Sequence, residues 1–218
     1  ITGGDSGIGR AVALARETSC AVHLTHVSTA QALEEIRRAK GEGLPVTCDV
    51  TPHHLIFSEE NVLTSHLSAI FKVNPPLRSL GDVEALWEGV ADGTVDALGT
   101  DHAPWHEDEK DLPFVETSFG IASYECAVAA VLDEGRRRKV PLEALLRLWT
   151  SGPAALLPPW AGVPGRIEEG GGAFLTVLDL DLPLEVNPDQ WRSKVRLTPY
   201  RGKRFIGAPV ATMVAGAL

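Results

Sequence analysis

Thr94-Val95-Asp96-Ala97-Leu98-Gly99-Thr100-Asp101-His102-Ala103-Pro104 is the stretch on which this chain turns. A short apolar run delivers an acid, a histidine and then a proline, whose missing N–H halts regular structure. If the run is a buried strand, Asp101 stands at its C-terminal end. A carboxylate in that position is costly unless a metal, a cation or a substrate proton partners it. An aspartate that merely caps a loop fits the same residues. What the rest of the chain places beside Asp101 decides between the two.

Working backward, residues 45–50 read as a strand closing at Thr51-Pro52-His53-His54, and residues 21–26 as a shorter one ending at His26. Between them, Ser28 three residues before Gln31 predicts a capping box for a helix running to about Lys40, stopped by Gly41 and Gly43. Strand, helix, strand with short connections is a parallel βαβ unit. Residues 69–74 read as a further extended run, halted by Pro75-Pro76. Val83, Leu86, Trp87 and Val90 recur at helical spacing and lead through Asp92-Gly93 into the Asp101 strand. Successive strands therefore end in polar residues: His26, His54, Asn74 and Asp101. In a parallel α/β barrel such ends open on one face and build the active site.

Working outward to the termini, Ile8, Ala11, Val12 and Ala15 predict a short helix ending near Thr18. The glycine-rich start, Thr2-Gly3-Gly4-Asp5-Ser6-Gly7-Ile8-Gly9, is similar to the cofactor loop of short-chain dehydrogenases, but such a loop must follow a buried strand and only Ile1 precedes it. That family's Tyr-x-x-x-Lys pair is missing too, since Val128 follows Tyr124 at that spacing and Arg204 follows Tyr200. After Asp101 come an acidic loop and apolar helices at about 121–134 and 142–149. Ser151-Gly152-Pro153, Pro158-Pro159, Gly162 and Gly170-Gly171-Gly172 then break the chain, with short strands expected at 175–178, 204–206 and 210–214. The division expected is a barrel portion over 1–164 and a small all-β appendage, of sandwich type, over 165–218.

With 218 residues, 44% of them hydrophobic, the chain can bury one sizeable core. A net charge of −9 disfavours nucleic acid and anionic membrane as partners. The one basic run, Arg136-Arg137-Arg138-Lys139, sits where a helix should end. Cys20, Cys48 and Cys126 are odd in number and far apart, which points to a reducing, cytoplasmic setting. No apolar run approaches the roughly 20 residues of a membrane span, and no signal peptide opens the sequence.

His23-Leu24-Thr25-His26-Val27-Ser28-Thr29, the run from Val46 through Thr51-Pro52-His53-His54-Leu55, Phe71-Lys72-Val73-Asn74-Pro75-Pro76-Leu77-Arg78, Leu98-Gly99-Thr100-Asp101-His102-Ala103-Pro104 and Ser118-Phe119-Gly120-Ile121 resemble, in this order, the later part of a dihydroorotase of the amidohydrolase superfamily. The similarity continues into Thr198-Pro199 and the run from Gly207 to Gly216. It implies an α/β fold, the C-terminal part of a (β/α)8 barrel with a two-zinc site that interconverts N-carbamoyl-L-aspartate and dihydroorotate in pyrimidine synthesis. By matched position, His26 and Asp101 would be metal ligands, Asp101 would also be the catalytic acid and base, and Asn74 with the backbone of Phe119 and Gly120 would hold the substrate. A homodimer or an association with aspartate transcarbamoylase is the partner implied.

His53 and His54 look like ligands, but the family does not place this pair on zinc, and a strand-end or supporting role is expected. His23 lies three residues before His26, so on a strand it faces the other side and reads as structural. Two departures from the family stand out. Its His-x-His, bridging Lys or Asp, and further His precede everything present here, so the chain reads as a C-terminal portion of a protein roughly 200 residues longer. Where a substrate-contacting His should follow His102-Ala103-Pro104 stands Trp105, with His106 one place later. The alternatives are an allantoinase or dihydropyrimidinase, or a non-catalytic dihydroorotase-like subunit of a transcarbamoylase complex.

Overall fold

The computed structural model describes residues 3–158, 161–162 and 165–217. Ile1, Pro159 and Pro164 lie outside them, so the start of the glycine-rich segment, part of the Pro158-Pro159 break and the 164/165 boundary are not placed. The glycine-rich segment itself is helical: α1 spans Gly3–Thr18. β1 (Val22–Leu24), α2 (Ala30–Gly41) and β2 (Val46–Val50) follow as the expected βαβ unit. The short helices α3 (Pro52–Ile56) and α4 (Glu59–Thr64) lead to α5 (Leu80–Asp92) and β3 (Ala97–Leu98).

The three strands form one parallel sheet in the order β1-β2-β3, with Val22 opposite Val46 and Val50 opposite Leu98. The strands ending near His26, Val50 and Thr100 are thus parallel, adjacent and open to the same side, as the sequence predicts. β2 is central, and Val46, Cys48 and Val50 are buried together with Leu33 and Ile36 of α2 and Leu86 and Val90 of α5. Burying one such side chain fully stabilises the fold by about 1.5–3 kcal/mol. α5 is bounded by a Ser79/Asp82 capping box and by Gly93 in the left-handed conformation.

Beyond β3 lie α6 (Glu107–Lys110), α7 (Ala127–Arg137), α8 (Leu142–Arg147) and α9 (Ser151–Leu156). The basic run does end α7, where Arg138 pairs with Glu84 and Glu134 and Arg137 with Asp133. β4 (Leu175–Glu185) and β5 (Arg204–Met213) pair antiparallel, and α7 packs against β5. A second buried cluster, with Phe57, Phe71, Ile121, Tyr200 and Phe205, joins this hairpin to the residues around the sheet.

Four local expectations are corrected. The cap of α2 is Thr29, whose hydroxyl accepts from the Ala32 N–H at 3.1 Å, while Ser28 accepts from Arg78 Nε instead. Residues 69–74 are not a strand: Ser68–Phe71 is a 3₁₀ turn, and the Lys72 carbonyl takes the Gly120 N–H rather than a ladder partner. The helix expected from Ile121 starts only at Ala127, because Ile121 bridges in parallel to His102. The strands expected at 204–206 and 210–214 are one element, β5, bent by register shifts against β4.

Candidate active site

His26 and Asp101 both follow the end of a strand, and both adopt left-handed backbone, with φ of 56° and 45°. For residues other than glycine that conformation costs on the order of 1 kcal/mol and persists only where the surroundings enforce it. It turns both side chains toward each other: His26 Nε2 lies 3.7 Å from Asp101 Oδ1.

The group that enforces this geometry at His26 is Asp49, which the sequence reading passed over. Its Oδ1 accepts both the His26 backbone N–H and the ring Nδ1–H, each at 2.8 Å, and its Oδ2 takes His23 Nε2 at 3.0 Å. His23 Nδ1 in turn meets the Thr47 hydroxyl at 2.9 Å. His23 therefore does not face away from His26. His23, paired opposite Thr47, faces Asp49 from within β1; the strand ends at Leu24 and the left-handed turn at His26 brings the second ring onto the same carboxylate. Burial pushes the Asp49 carboxyl up, but the hydrogen bonds from His26 and His23 outweigh it and hold it below its usual range. The Asp49 bond raises the His26 imidazole. Gly99 makes room for this arrangement: a Cβ there would stand 3.0 Å from Asp49 Oδ1 and 3.1 Å from the His26 ring.

Asp101 is raised above its ordinary value, chiefly by burial, with the nearby Asp49 charge adding and His26 opposing. Among the described residues its oxygens receive no hydrogen bond. An imidazole whose Nδ1 is bound to a carboxylate presents Nε2 as a ligand atom, and a carboxylate short of positive charge beside it matches the nitrogen and oxygen donors that divalent metals take. The pair fits part of a metal shell. No group of three or more His, Cys, Asp or Glu side chains able to hold an ion occurs among the described residues.

The segments carrying the expected substrate contacts meet beside this pair. Ala103 N–H donates to Ile121 O at 3.1 Å, and Gly120 N–H donates to Lys72 O at 2.9 Å, two residues before Asn74. Asn74 is exposed. Gly120, at φ 141°, crosses so close to Ala103 that a Cβ would stand 2.6 Å from both its Cβ and its carbonyl oxygen. The Gly120 N–H is thus already spent, whereas no acceptor meets the Phe119 N–H among the described residues. His102 Nδ1 accepts from the Ser123 and Tyr124 N–H groups, each at 3.0 Å. His54 bridges the Thr51 hydroxyl and the Pro75 carbonyl, and His53 is fully buried with neither ring nitrogen bonded. Burial holds His54 down to about 4 and His53 well below its usual value. His106 turns to solvent beside Asp108, so it does not take the place left by Trp105, whose indole donates to the Phe119 carbonyl at 2.6 Å.

Parallel strands with a His and an Asp converging at their C-terminal ends are an arrangement of the amidohydrolase kind. A model of the amidohydrolase family matches residues 4–218, and the chain belongs to that family. It is 45% identical over 212 residues to a dihydroorotase of Pelotomaculum thermopropionicum, covering 96% of this chain and 48% of that protein. It is 44% identical over 201 residues to a dihydroorotase of Thermus aquaticus, covering 90% and 45%. Among solved structures, L-hydantoinase (dihydropyrimidinase) from Arthrobacter aurescens superposes with a TM-score of 0.89 at 31% identity, over 97% of this chain and 47% of that one. A D-hydantoinase (dihydropyrimidinase) from Thermus sp. gives 0.89 at 22%, with the same coverage, a likeness of fold alone. The chain spans about half the length of the curated relatives it matches.

Proposed function

We propose that this chain carries one half of the active site of a zinc-dependent dihydroorotase, which interconverts N-carbamoyl-L-aspartate and dihydroorotate. The observation that carries the reading is the convergence of His26 Nε2 and Asp101 at 3.7 Å, with Asp49 fixing the His26 tautomer. The similarity to dihydroorotases at 39–45% identity supports the substrate. In this reading residues 1–164 belong to a (β/α)8 barrel and 165–218 to an all-β appendage. The remaining metal ligands come from barrel strands outside these 218 residues.

His26 Nε2 and the Asp101 carboxylate would each hold a zinc ion, which when bound lowers the pKa of a water and polarises the ring amide. Asp101 takes the proton from the attacking water and returns it to the ring nitrogen that leaves, so its charge is restored each cycle. The free Phe119 N–H donates to the substrate, and Asn74 lies on the neighbouring segment as a second polar contact. Trp105, occupying the Phe119 carbonyl, favours a second reading, a cyclic-amide hydrolase of the dihydropyrimidinase type with an altered carboxylate site. Steady-state assays of the intact protein with dihydroorotate, dihydrouracil and hydantoin decide between them. Preferential turnover of dihydroorotate is expected; a preference for the two substrates without a carboxylate would overturn the first reading.

A further inference from the structure

Lys72 and Lys110 are both buried, at 8% and 6% exposure, and among the described residues neither forms an ion pair with a carboxylate. Their ammonium groups go to main-chain carbonyls instead. Lys72 Nζ donates to Val115 O at 3.1 Å and Thr117 O at 2.7 Å, and lies 4.5 Å over the ring of Phe119. Lys110 Nζ donates to Ser118 O at 2.7 Å and Ala69 O at 3.3 Å. Three carbonyls of one short segment, those of Val115, Thr117 and Ser118, are therefore drawn inward onto two buried cations. Each bond to a charged donor is about twice as strong as one between neutral groups.

The consequence falls on the next peptide. Because the peptide unit is planar and trans, a Ser118 carbonyl held against Lys110 forces the Phe119 N–H to the opposite side. That is the N–H that finds no acceptor among the described residues. Gly120 N–H on Lys72 O and Trp105 Nε1 on Phe119 O fix the segment beyond it. We infer that Lys72 and Lys110 are positioning residues: a paired ammonium clamp that sets the 115–120 backbone so that the Phe119 N–H faces the substrate carbonyl. The role in turnover rests on the function proposed above.

Two buried cations side by side are a poor device for stability. Burial, with the Lys72 charge adding, pushes Lys110 down to about 8, so the fold holds its charge at a net cost. An apolar substitute should leave global stability unchanged or higher and lose only the order of the loop. Hydrogen exchange by mass spectrometry on the intact protein tests this directly. Lys110→Met is expected to accelerate exchange in residues 113–121 by about 10-fold or more, leave β1–β3 unchanged and not lower the melting temperature. Lys110→Gln, which keeps a donor, should give a smaller acceleration and serves if the methionine variant does not fold. With dihydroorotate as substrate, KM should rise about 10-fold with kcat within about threefold, the pattern of lost binding rather than lost chemistry. Unchanged exchange in 113–121, or a loosened loop with unchanged KM, overturns the clamp. A wild type inactive on dihydroorotate counts against the proposed function alone, because the exchange measurement does not depend on turnover.

Discussion

Replacing Asp49 with asparagine probes the site without touching either of the two residues that would ligate the metal. The carboxylate accepts three hydrogen bonds, two at 2.8 Å from the His26 backbone and ring and one at 3.0 Å from His23. An asparagine can keep its carbonyl oxygen toward His26, which preserves both short bonds and the ring orientation. Its amide then faces His23 Nε2, and His23 must shift its proton to Nδ1, where the Thr47 hydroxyl can accept it. What the variant loses is the negative charge that raises the basicity of the His26 imidazole. Losing a carboxylate partner of a ligating histidine costs about 10- to 100-fold in metal affinity, or roughly 1.4–2.7 kcal/mol. Asp49→Ala should cost more, since it strands two His26 donors beside a strand end that is largely buried. The assay is competitive zinc titration of the intact apoprotein against a chelator of known affinity, with unfolding midpoints measured on the same samples. Wild-type affinity in Asp49→Asn would refute the argument, because it would mean that Asp49 acts only as a strand residue.

Two further outcomes follow from the same geometry. Asp101→Asn should abolish turnover at any zinc concentration, because proton transfer contributes about 100- to 10,000-fold and added metal cannot supply it; His26→Asn should recover measurable rate as zinc is raised, since mass action refills a weakened site, and near wild-type turnover by Asp101→Asn would sink the assignment. For His54, held at about 4 against an ordinary 6.5, the unfolded chain takes up a proton that the fold refuses, so its contribution is complete above pH 6.5 and falls as pH drops toward 4. Acidification from pH 7 to 5 should cost about 2 kcal/mol through this group by linkage, read as a difference in denaturant midpoints that His54→Gln diminishes; identical pH slopes in the two proteins would show that His54 is charged in the fold.

The parallel sheet was legible because its signals are local and repeated. The β2 run, the apolar spacing of α5 and the Gly93 stop each need only a few neighbours to take effect. Residues 69–74 misled for the opposite reason. Their apolar pattern suits a strand, but their conformation is set by groups far along the chain, with Lys110 on the Ala69 carbonyl and Gly120 on that of Lys72. No propensity read from the segment itself carries that information. The same holds for the cap of α2, where Arg78 claims the Ser28 hydroxyl from 50 residues away and leaves Thr29 to cap.

In the site, Asp101 is legible because a carboxylate at the end of a buried strand demands a partner. The same demand applies to Asp49. As the central strand of a parallel sheet β2 is covered on both faces, with Val46, Cys48 and Val50 on one and Asp49, its only carboxylate, on the other. An acid inside such a strand must be paired, and pairing Val22 with Val46 in a parallel register brings it beside the exit of β1. The exit of β1 is His26. The register, which alternation alone does not fix between parallel strands, was the one missing step. His23, opposite Thr47 on the same face of the sheet, meets this carboxylate by register, and His26 joins it only because the chain turns left-handed there, a conformation that nothing in an imidazole side chain announces. What remains hidden from the sequence is thus long-range by nature: a carboxylate shared by two histidines, and two lysines spent on the carbonyls of a loop.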